Sequence, residues 1–188
     1  MSYRARIYLI VIGLPKEIKN DVANFKKEFL QNFGRAEALS SPAHITLSSF
    51  PMTDIPETTL EKELRNFIKD WKSFEVQISG FDRFSNSKVL FLRPTKEKIG
   101  KFQRYMITVL RQLVKISKKH AQPIDYPHIT IAKNMTEIQL NKSWEYFKDR
   151  PYRKLFKVDK ITVLRKPYTI KKIPYELAFE INLNNQES

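Results

Sequence analysis

The feature that most constrains this 188-residue chain is a short phrase that occurs once in each half. The first histidine phrase reads HITLSSF at 44–50, and the second reads HITIAKN at 128–134. The chain has three histidines, and two of them begin these phrases. Because side chains in a strand alternate between two faces, each phrase can bury its aliphatic residues and hold a histidine and a threonine on the opposite surface. The repetition predicts one structural plan that is used twice.

Hydrophobic periodicity extends this interpretation to the rest of the chain. Alternating or continuous apolar runs predict strands, and apolar residues at helical spacing predict helices. The strands are expected at 3–13, 44–49, 74–82, 88–93, 128–133, 154–165 and 174–183. The helices are expected at 16–32, 57–71, 95–118 and 136–148. The order predicts an α+β duplication with two lobes in one compact unit, since no Gly/Ser-rich linker separates the halves.

Charge and composition narrow the class of partner. The 34 basic and 20 acidic residues give a net charge of +14, which attracts polyanions, nucleic acid first and an anionic membrane second. A general solubility effect is the alternative reading of that charge. The absence of cysteine excludes disulfides, thiol nucleophiles and thiolate metal sites. No apolar run approaches the ~20 residues of a membrane span, so we expect a cytoplasmic protein without a membrane partner.

The side chains of the two phrases suit phosphodiester cleavage if the lobes face each other. His44 and His128 can divide proton removal from the attacking oxygen and proton delivery to the leaving oxygen. The hydroxyls of Thr46 and Thr130 can donate hydrogen bonds to non-bridging phosphate oxygens. Since the histidinium and these donors supply the electrostatics, the chemistry requires neither a metal ion nor another cofactor.

Other interpretations of these residues remain open at this point. Either phrase histidine could be structural, although the repetition in matching contexts favours catalysis. A zinc site needs at least three protein ligands, which the spacing does not offer, and a serine hydrolase would need a Gly-x-Ser-x-Gly elbow. His120 reads as a surface residue at a helix end. Tyr126 could stack a base, and Lys133 could reach a phosphate if the strand bends.

These residues carry a family resemblance. A small α+β chain with two His-x-Thr-apolar phrases resembles the 2H phosphoesterase superfamily. The segments that share this resemblance are RIYLIVIGLP near the start, FDRFSNSKVLFLRP in the middle and PHITIAK later. The similar branch is the 2′-5′ RNA ligase-like or cyclic phosphodiesterase proteins. The family commonly has Ala-Arg after its second motif, whereas this chain has Ala132 and Lys133, and Phe50 comes later than the usual aromatic residue.

The resemblance implies a bilobal, pseudo-two-fold fold in which two antiparallel-type sheets face a central cleft with helices outside. Residues 1–188 would then be one domain of two interleaved lobes, each with one His-x-Thr motif. It implies His44 and His128 as the acid/base pair, with His128 as the base and His44 as the acid, and Thr46 and Thr130 as phosphate binders.

The activity implied by the resemblance is metal-independent hydrolysis of 2′,3′-cyclic or 2′-5′-linked nucleotide or RNA phosphodiesters, leaving a 2′-phosphate. Expected partners are RNA termini or a small nucleotide, and a self-contained cleft favours a monomer. Two alternatives stay open. One is 2′-5′ ligation of RNA, which runs the same chemistry backward, and the other is an RNA-end-binding module without turnover.

Overall fold

A computed structural model describes residues 5–53, 55–114, 126–168 and 173–184 of the chain. The strands within these ranges are β1 (Arg6–Gly13), β2 (His44–Met52), β3 (Phe74–Phe84), β4 (Val89–Pro94), β5 (Ile129–Ala132), β6 (Arg153–Val158), β7 (Lys160–Pro167) and β8 (Glu176–Asn182). The helices are α1 (Lys16–Phe33), α2 (Glu57–Ile68), α3 (Glu97–Val114) and α4 (Glu137–Phe147). None of the helices in these ranges is long and apolar enough to cross a membrane.

The strands form two four-stranded antiparallel sheets, which confirms the predicted α+β fold. One sheet has the order β2-β1-β7-β8, and the other has the order β5-β4-β3-β6. The strands that carry the two histidine phrases, β2 and β5, each lie at an edge of their sheet. The halves also exchange strands, because β3 from the first half lies in the second sheet and β7 and β8 from the end of the chain complete the first.

Amphipathic patterning explains why these elements form. The central strand β1 buries Ile10, Val11 and Ile12 in succession, as expected for a strand covered on both faces. Helix α1 buries one stripe, which includes Val22 and Phe29, and leaves its opposite face to solvent. A single hydrophobic cluster contains residues from both sheets and all four helices of the described chain. The cluster therefore fixes the positions of the two sheets relative to each other.

The structure corrects one predicted strand and shortens two predicted helices. The strand expected at 154–165 is two strands, β6 and β7, which part at Asp159 and join different sheets. Periodicity missed this break because the apolar alternation continues on both sides of it. The helix expected to reach residue 71 ends at Ile68, and α3 begins at Glu97. The remainder of the predicted third helix and His120 lie outside the described residues.

Candidate active site

The two histidine phrases meet at one cavity of about 240 Å³, which we call the histidine cavity. Its lining includes His44 and Thr46 from β2 together with His128, which directly precedes β5, and Thr130 from β5. Their neighbours Ile45, Leu47, Ile129 and Ile131 are fully buried. Strand alternation therefore holds each histidine and threonine at the surface by burying the aliphatic residues between and beside them. The predicted juxtaposition of the two phrases is a feature of the structure.

A β-bulge occurs at the same position in both phrases. The ladder between β1 and β2 skips Leu47, and the ladder between β4 and β5 skips Ile131. Each skipped residue directly follows the phrase threonine. A bulge breaks the alternation of faces, so that a residue beyond it is turned to the other side of the sheet. In the second phrase this brings Lys133 to the histidine cavity, where uninterrupted alternation would have turned it away.

Both histidine rings are held in the same way. The Nδ1 atom of His44 lies 2.9 Å from the carbonyl oxygen of Pro42, and the Nδ1 atom of His128 lies 2.9 Å from that of Tyr126. Because a carbonyl oxygen can only accept a hydrogen bond, Nδ1 carries the proton in both rings. The Nε2 atom of each neutral ring is then left with its lone pair, which can take up a proton.

The surroundings of His44 favour its neutral form. Burial lowers the pKa of His44, the positive charges of Lys26 and His128 lower it further, and the bond to the Pro42 carbonyl opposes them. The net direction is below the ordinary histidine value. In the free protein, His44 is therefore neutral at neutral pH and able to accept a proton.

Sequence reasoning missed Lys26, which also lines the histidine cavity. This lysine lies on α1 and is 6% exposed, and its Nζ donates to the carbonyl oxygens of Ala38 and Ser41 at 2.7 Å each. Burial lowers the pKa of Lys26 to about 8. The sequence did carry a signal, since Lys26 follows the buried Val22 by four residues and so falls on the apolar stripe of the helix.

The two residues suggested as substrate contacts, Lys133 and Tyr126, line two different cavities. Lys133 lines the histidine cavity, pairs with the Glu37 carboxylate at 3.6 Å and exchanges two backbone hydrogen bonds of 3.1 Å with the same residue. Tyr126 lies outside that cavity and is 58% exposed. It lines an adjoining cavity of about 350 Å³, the aromatic cavity. The other residues lining the aromatic cavity are Ser79, Asp82, Phe91, Arg93, Pro94, Thr95, Lys96 and Pro127.

The aromatic cavity continues the face of the second sheet that carries the histidine cavity. Phe91 on β4 is directly opposite Thr130 on β5, so their side chains share a face. The Phe91 and His128 rings lie 5.5 Å apart between centroids. The Nζ of Lys96 lies 5.2 Å from the centre of the Tyr126 ring, within cation–π range. Aromatic faces and a cation thus flank the histidine pair on one side.

The described residues contain no group of three or more histidine, aspartate or glutamate side chains arranged to hold a metal ion.

Comparisons with known proteins agree with this architecture. The family model of the 2′-5′ RNA ligase superfamily matches residues 14–167. Structural similarity to Escherichia coli LigT complexed with NADP+ has a TM-score of 0.69 at 15% identity, covering 97% of this chain and 99% of that one. TT0787 of Thermus thermophilus matches with a TM-score of 0.68 at 14% identity over 96% and 100% of the two chains. Usb1 of Kluyveromyces marxianus is more distant, with a TM-score of 0.50 at 15% identity over 97% and 98%.

At these identities the structural matches show a shared fold. No curated protein sequence matches the chain significantly.

Proposed function

The chain belongs to the 2′-5′ RNA ligase superfamily of 2H phosphoesterases, and we propose that it hydrolyses 2′,3′-cyclic or 2′-5′-linked phosphodiesters of nucleotides or RNA ends. The observation that carries the proposal is the histidine cavity, which two histidines and two threonines from opposite halves of the chain line together. Hydrolysis of a phosphodiester needs two groups that transfer protons and donors that hold the phosphate oxygens. Two imidazoles with free Nε2 atoms and two hydroxyl groups can supply them. The LigT structure with bound NADP+ gives independent support that this fold accommodates nucleotides.

The reaction follows from the roles of the two rings. One neutral imidazole takes a proton from water through Nε2, and the resulting hydroxide attacks the phosphorus atom. The bond between phosphorus and the ribose 3′-oxygen breaks, and the second histidine, in its charged form, gives its Nε2 proton to that oxygen. The products are a 2′-phosphomonoester and a free 3′-hydroxyl. Each proton transfer contributes roughly 10²- to 10⁴-fold to the rate.

The threonines and nearby cations hold the charge that develops on the phosphate. The hydroxyls of Thr46 and Thr130 lie on the cavity side of two different strands, so they can contact the two non-bridging oxygens from opposite directions. Lys133 supplies a positive charge in the same cavity, and its ion pair with Glu37 neutralises part of that charge. Preorganised donors of this kind are worth more in a partly buried site than in water.

The aromatic cavity is the place for the nucleoside that carries the phosphate. Tyr126 offers an exposed ring on which a base can stack, and Phe91 links this cavity to Thr130 across the sheet. A volume of about 350 Å³ is at the small end of ligand pockets, which suits one nucleoside. The net charge of +14 adds long-range attraction for an RNA chain beyond that nucleoside.

The electrostatic surroundings of His44 bear on which histidine is the base. The resemblance implies His128 as the base and His44 as the acid. The lowered pKa of His44 favours the opposite assignment in the free protein, because it keeps this ring neutral. An incoming phosphate anion raises the pKa of a nearby imidazole, so substrate binding can restore the proton that an acid requires.

The decisive experiment offers a 2′,3′-cyclic nucleotide to protein purified in EDTA, and product formation is followed by chromatography. We expect a 2′-phosphate product from the wild type, and no product above background from either His44→Ala or His128→Ala. His120→Ala, which removes the third histidine, is the matched control and should keep wild-type turnover. Equal turnover by the wild type and the double His44, His128 variant would overturn the proposal.

Two further measurements separate the remaining alternatives. Incubation with RNA fragments that end in a 2′,3′-cyclic phosphate and a 5′-hydroxyl tests ligation, since a joined product would reassign the direction of the reaction. Binding of the same fragments without any phosphate product would indicate an RNA-end-binding module. Both phrases come from one chain, so a monomer contains the complete site, and sedimentation of the active protein should show one copy.

A further inference from the structure

A buried lysine supports the wall of the histidine cavity. Lys26 is 6% exposed, and no carboxylate in the described part of the chain lies within ion-pairing distance of its Nζ. Its two hydrogen bonds go to backbone carbonyls instead. Taking an ammonium group out of water without a counter-ion is costly, and an apolar side chain would fill the same helix position at a lower cost. This cost calls for an explanation beyond packing.

Both carbonyls belong to the loop that leads into β2, and one of them belongs to a strained residue. Ala38 has a φ of 72°, in the left-handed region that alanine rarely adopts. The Ala38 carbonyl accepts from Lys26 at 2.7 Å and from the Ser41 backbone N–H at 3.2 Å. These two bonds stabilise a conformation that the alanine side chain disfavours. The shape of the loop 38–43 therefore depends on the ammonium group.

The same loop orients the first histidine. Lys26 holds the Ser41 carbonyl, and the next carbonyl along the chain, that of Pro42, accepts the hydrogen bond from His44 Nδ1. A displacement of the loop would move the Pro42 carbonyl and rotate the His44 ring. The ring of the second histidine is held by the Tyr126 carbonyl, which lies outside the loop 38–43.

Several charged or titratable groups surround Lys26. His44 from β2 and His128 and Lys133 from the second phrase line the histidine cavity with it, and Glu37 pairs with Lys133. Lys19 and Lys27 from α1 line a second cavity with Lys26. The Glu37 carboxylate is engaged by Lys133. All the other groups in this set are lysines or histidines, so none of them supplies a negative charge that would hold the Lys26 proton.

We propose that Lys26 is a positioning residue whose ammonium group fixes the loop 38–43 and thereby the His44 ring, so that loss of this positive charge lowers turnover. The neutral amine lacks the charge that strengthens both hydrogen bonds to the loop carbonyls. Burial lowers the pKa of Lys26 to about 8, which brings this proton loss into an accessible range. The effect on turnover rests on the proposed hydrolytic function, whereas the effect on His44 does not.

The test compares three variants. Lys26→Arg keeps a cation that does not lose its proton at mildly alkaline pH, and Lys26→Met removes the charge while keeping a side chain of similar length. Lys27→Met removes a neighbouring exposed lysine and is the control. We expect the wild-type kcat to fall with a midpoint near pH 8, and Lys26→Met to lower kcat roughly 10- to 100-fold at neutral pH without that alkaline fall. Lys26→Arg should restore much of the activity and move the fall to higher pH. Lys27→Met should match the wild type.

Two NMR measurements need no substrate and separate this inference from the proposed function. In protein labelled at the lysine Cε, one resonance that is absent from Lys26→Met should titrate near pH 8. In the same variant the pKa of the His44 ring should rise, since a cation that lowers it has been removed. A Lys26 resonance that titrates at the ordinary lysine value, or an unchanged His44 pKa, would overturn the inference even if hydrolysis is observed. A wild-type pH profile and kcat in Lys26→Met would overturn it as well.

Discussion

The Nδ1 atom of His128 lies 2.9 Å from the backbone carbonyl oxygen of Tyr126, two residues earlier in the chain. His44 has the same relationship with Pro42 at the same distance. In each half the peptide just before the strand thus holds the ring and turns Nε2 into the reactive nitrogen. The two rings are equivalent in this geometry, and His44 is in addition linked to Lys26 through the loop 38–43, whose Ser41 carbonyl the lysine holds.

The acid and the base can be told apart with a leaving group that needs no proton. On a 2′,3′-cyclic nucleotide, His44→Ala and His128→Ala should each lose roughly 10²- to 10⁴-fold in kcat. On a nucleotide diester that releases 4-nitrophenolate, the variant that lacks the acid should recover most of this loss, and the variant that lacks the base should not. Absorbance of nitrophenolate gives the rates. Equal loss by both variants on both substrates would contradict a division of roles.

The threonine hydroxyls should matter for turnover more than for folding. Thr46→Val and Thr130→Val each keep the side-chain shape and remove one donor, so we expect kcat to fall roughly 10²- to 10³-fold, as for the loss of an oxyanion donor. Thr46→Ser and Thr130→Ser retain the hydroxyl and serve as matched controls that should keep most of the activity. Steady-state kinetics together with thermal melting checks this. A valine variant with wild-type kcat would remove that threonine from the site.

Tyr126 should contribute to binding of the base and should have no effect on the rate of the chemical step. Tyr126→Ala should raise KM for a cyclic nucleotide by roughly 5- to 150-fold, which corresponds to the stacking energy of one base on an aromatic ring. Tyr126→Phe preserves the ring and should behave as the wild type. A ribose 2′,3′-cyclic phosphate without a base should be hydrolysed equally by Tyr126→Ala and the wild type. A matching loss on this substrate would show that the tyrosine acts on the His128 ring instead.

Lys26 should make stability depend on pH in a predictable direction. The folded-state pKa of about 8 lies below the unfolded value of 10.5, so the folded protein releases this proton first and the burial penalty disappears as pH rises between these values. Wild-type stability should therefore increase relative to Lys26→Met, by up to roughly 3 kcal/mol once pH passes the unfolded pKa. Urea unfolding of both proteins at about pH 7 and about pH 10 measures the change. A difference that does not vary with pH would contradict the lowered pKa.

The two histidines and two threonines that line the histidine cavity could be predicted from the sequence, because the pattern within each phrase is local. Within each phrase, strand alternation alone assigns Ile45 and Ile129 to the core and the histidines and threonines to the other face. That the two phrases face each other was a hypothesis suggested by their repetition, and it depends on how the two halves pack. The assignment of faces within each phrase needed no knowledge of how distant residues pack.

The remaining features depend on tertiary contacts that have no local signature. The bulges at Leu47 and Ile131 are set by pairing with β1 and β4, so the face of Lys133 could not be derived from parity. The helical spacing places Lys26 on the apolar stripe of α1, but its contact with the loop carbonyls cannot be predicted from that spacing. The break at Asp159 arises because the chain crosses from one sheet to the other, which periodicity does not register.

The exchange of strands between the halves has a consequence for how the protein is made. Until β7 has been synthesised, β1 lacks one of its two neighbours, and β3 must wait for β4 and β6 before it is paired on both sides. A nascent chain released after the first histidine phrase would thus present unpaired backbone edges to the surrounding cell. Catalytic activity should therefore appear late in synthesis and in one step. If the gene is split between the two phrases, the two fragments should regain activity only when they are co-expressed.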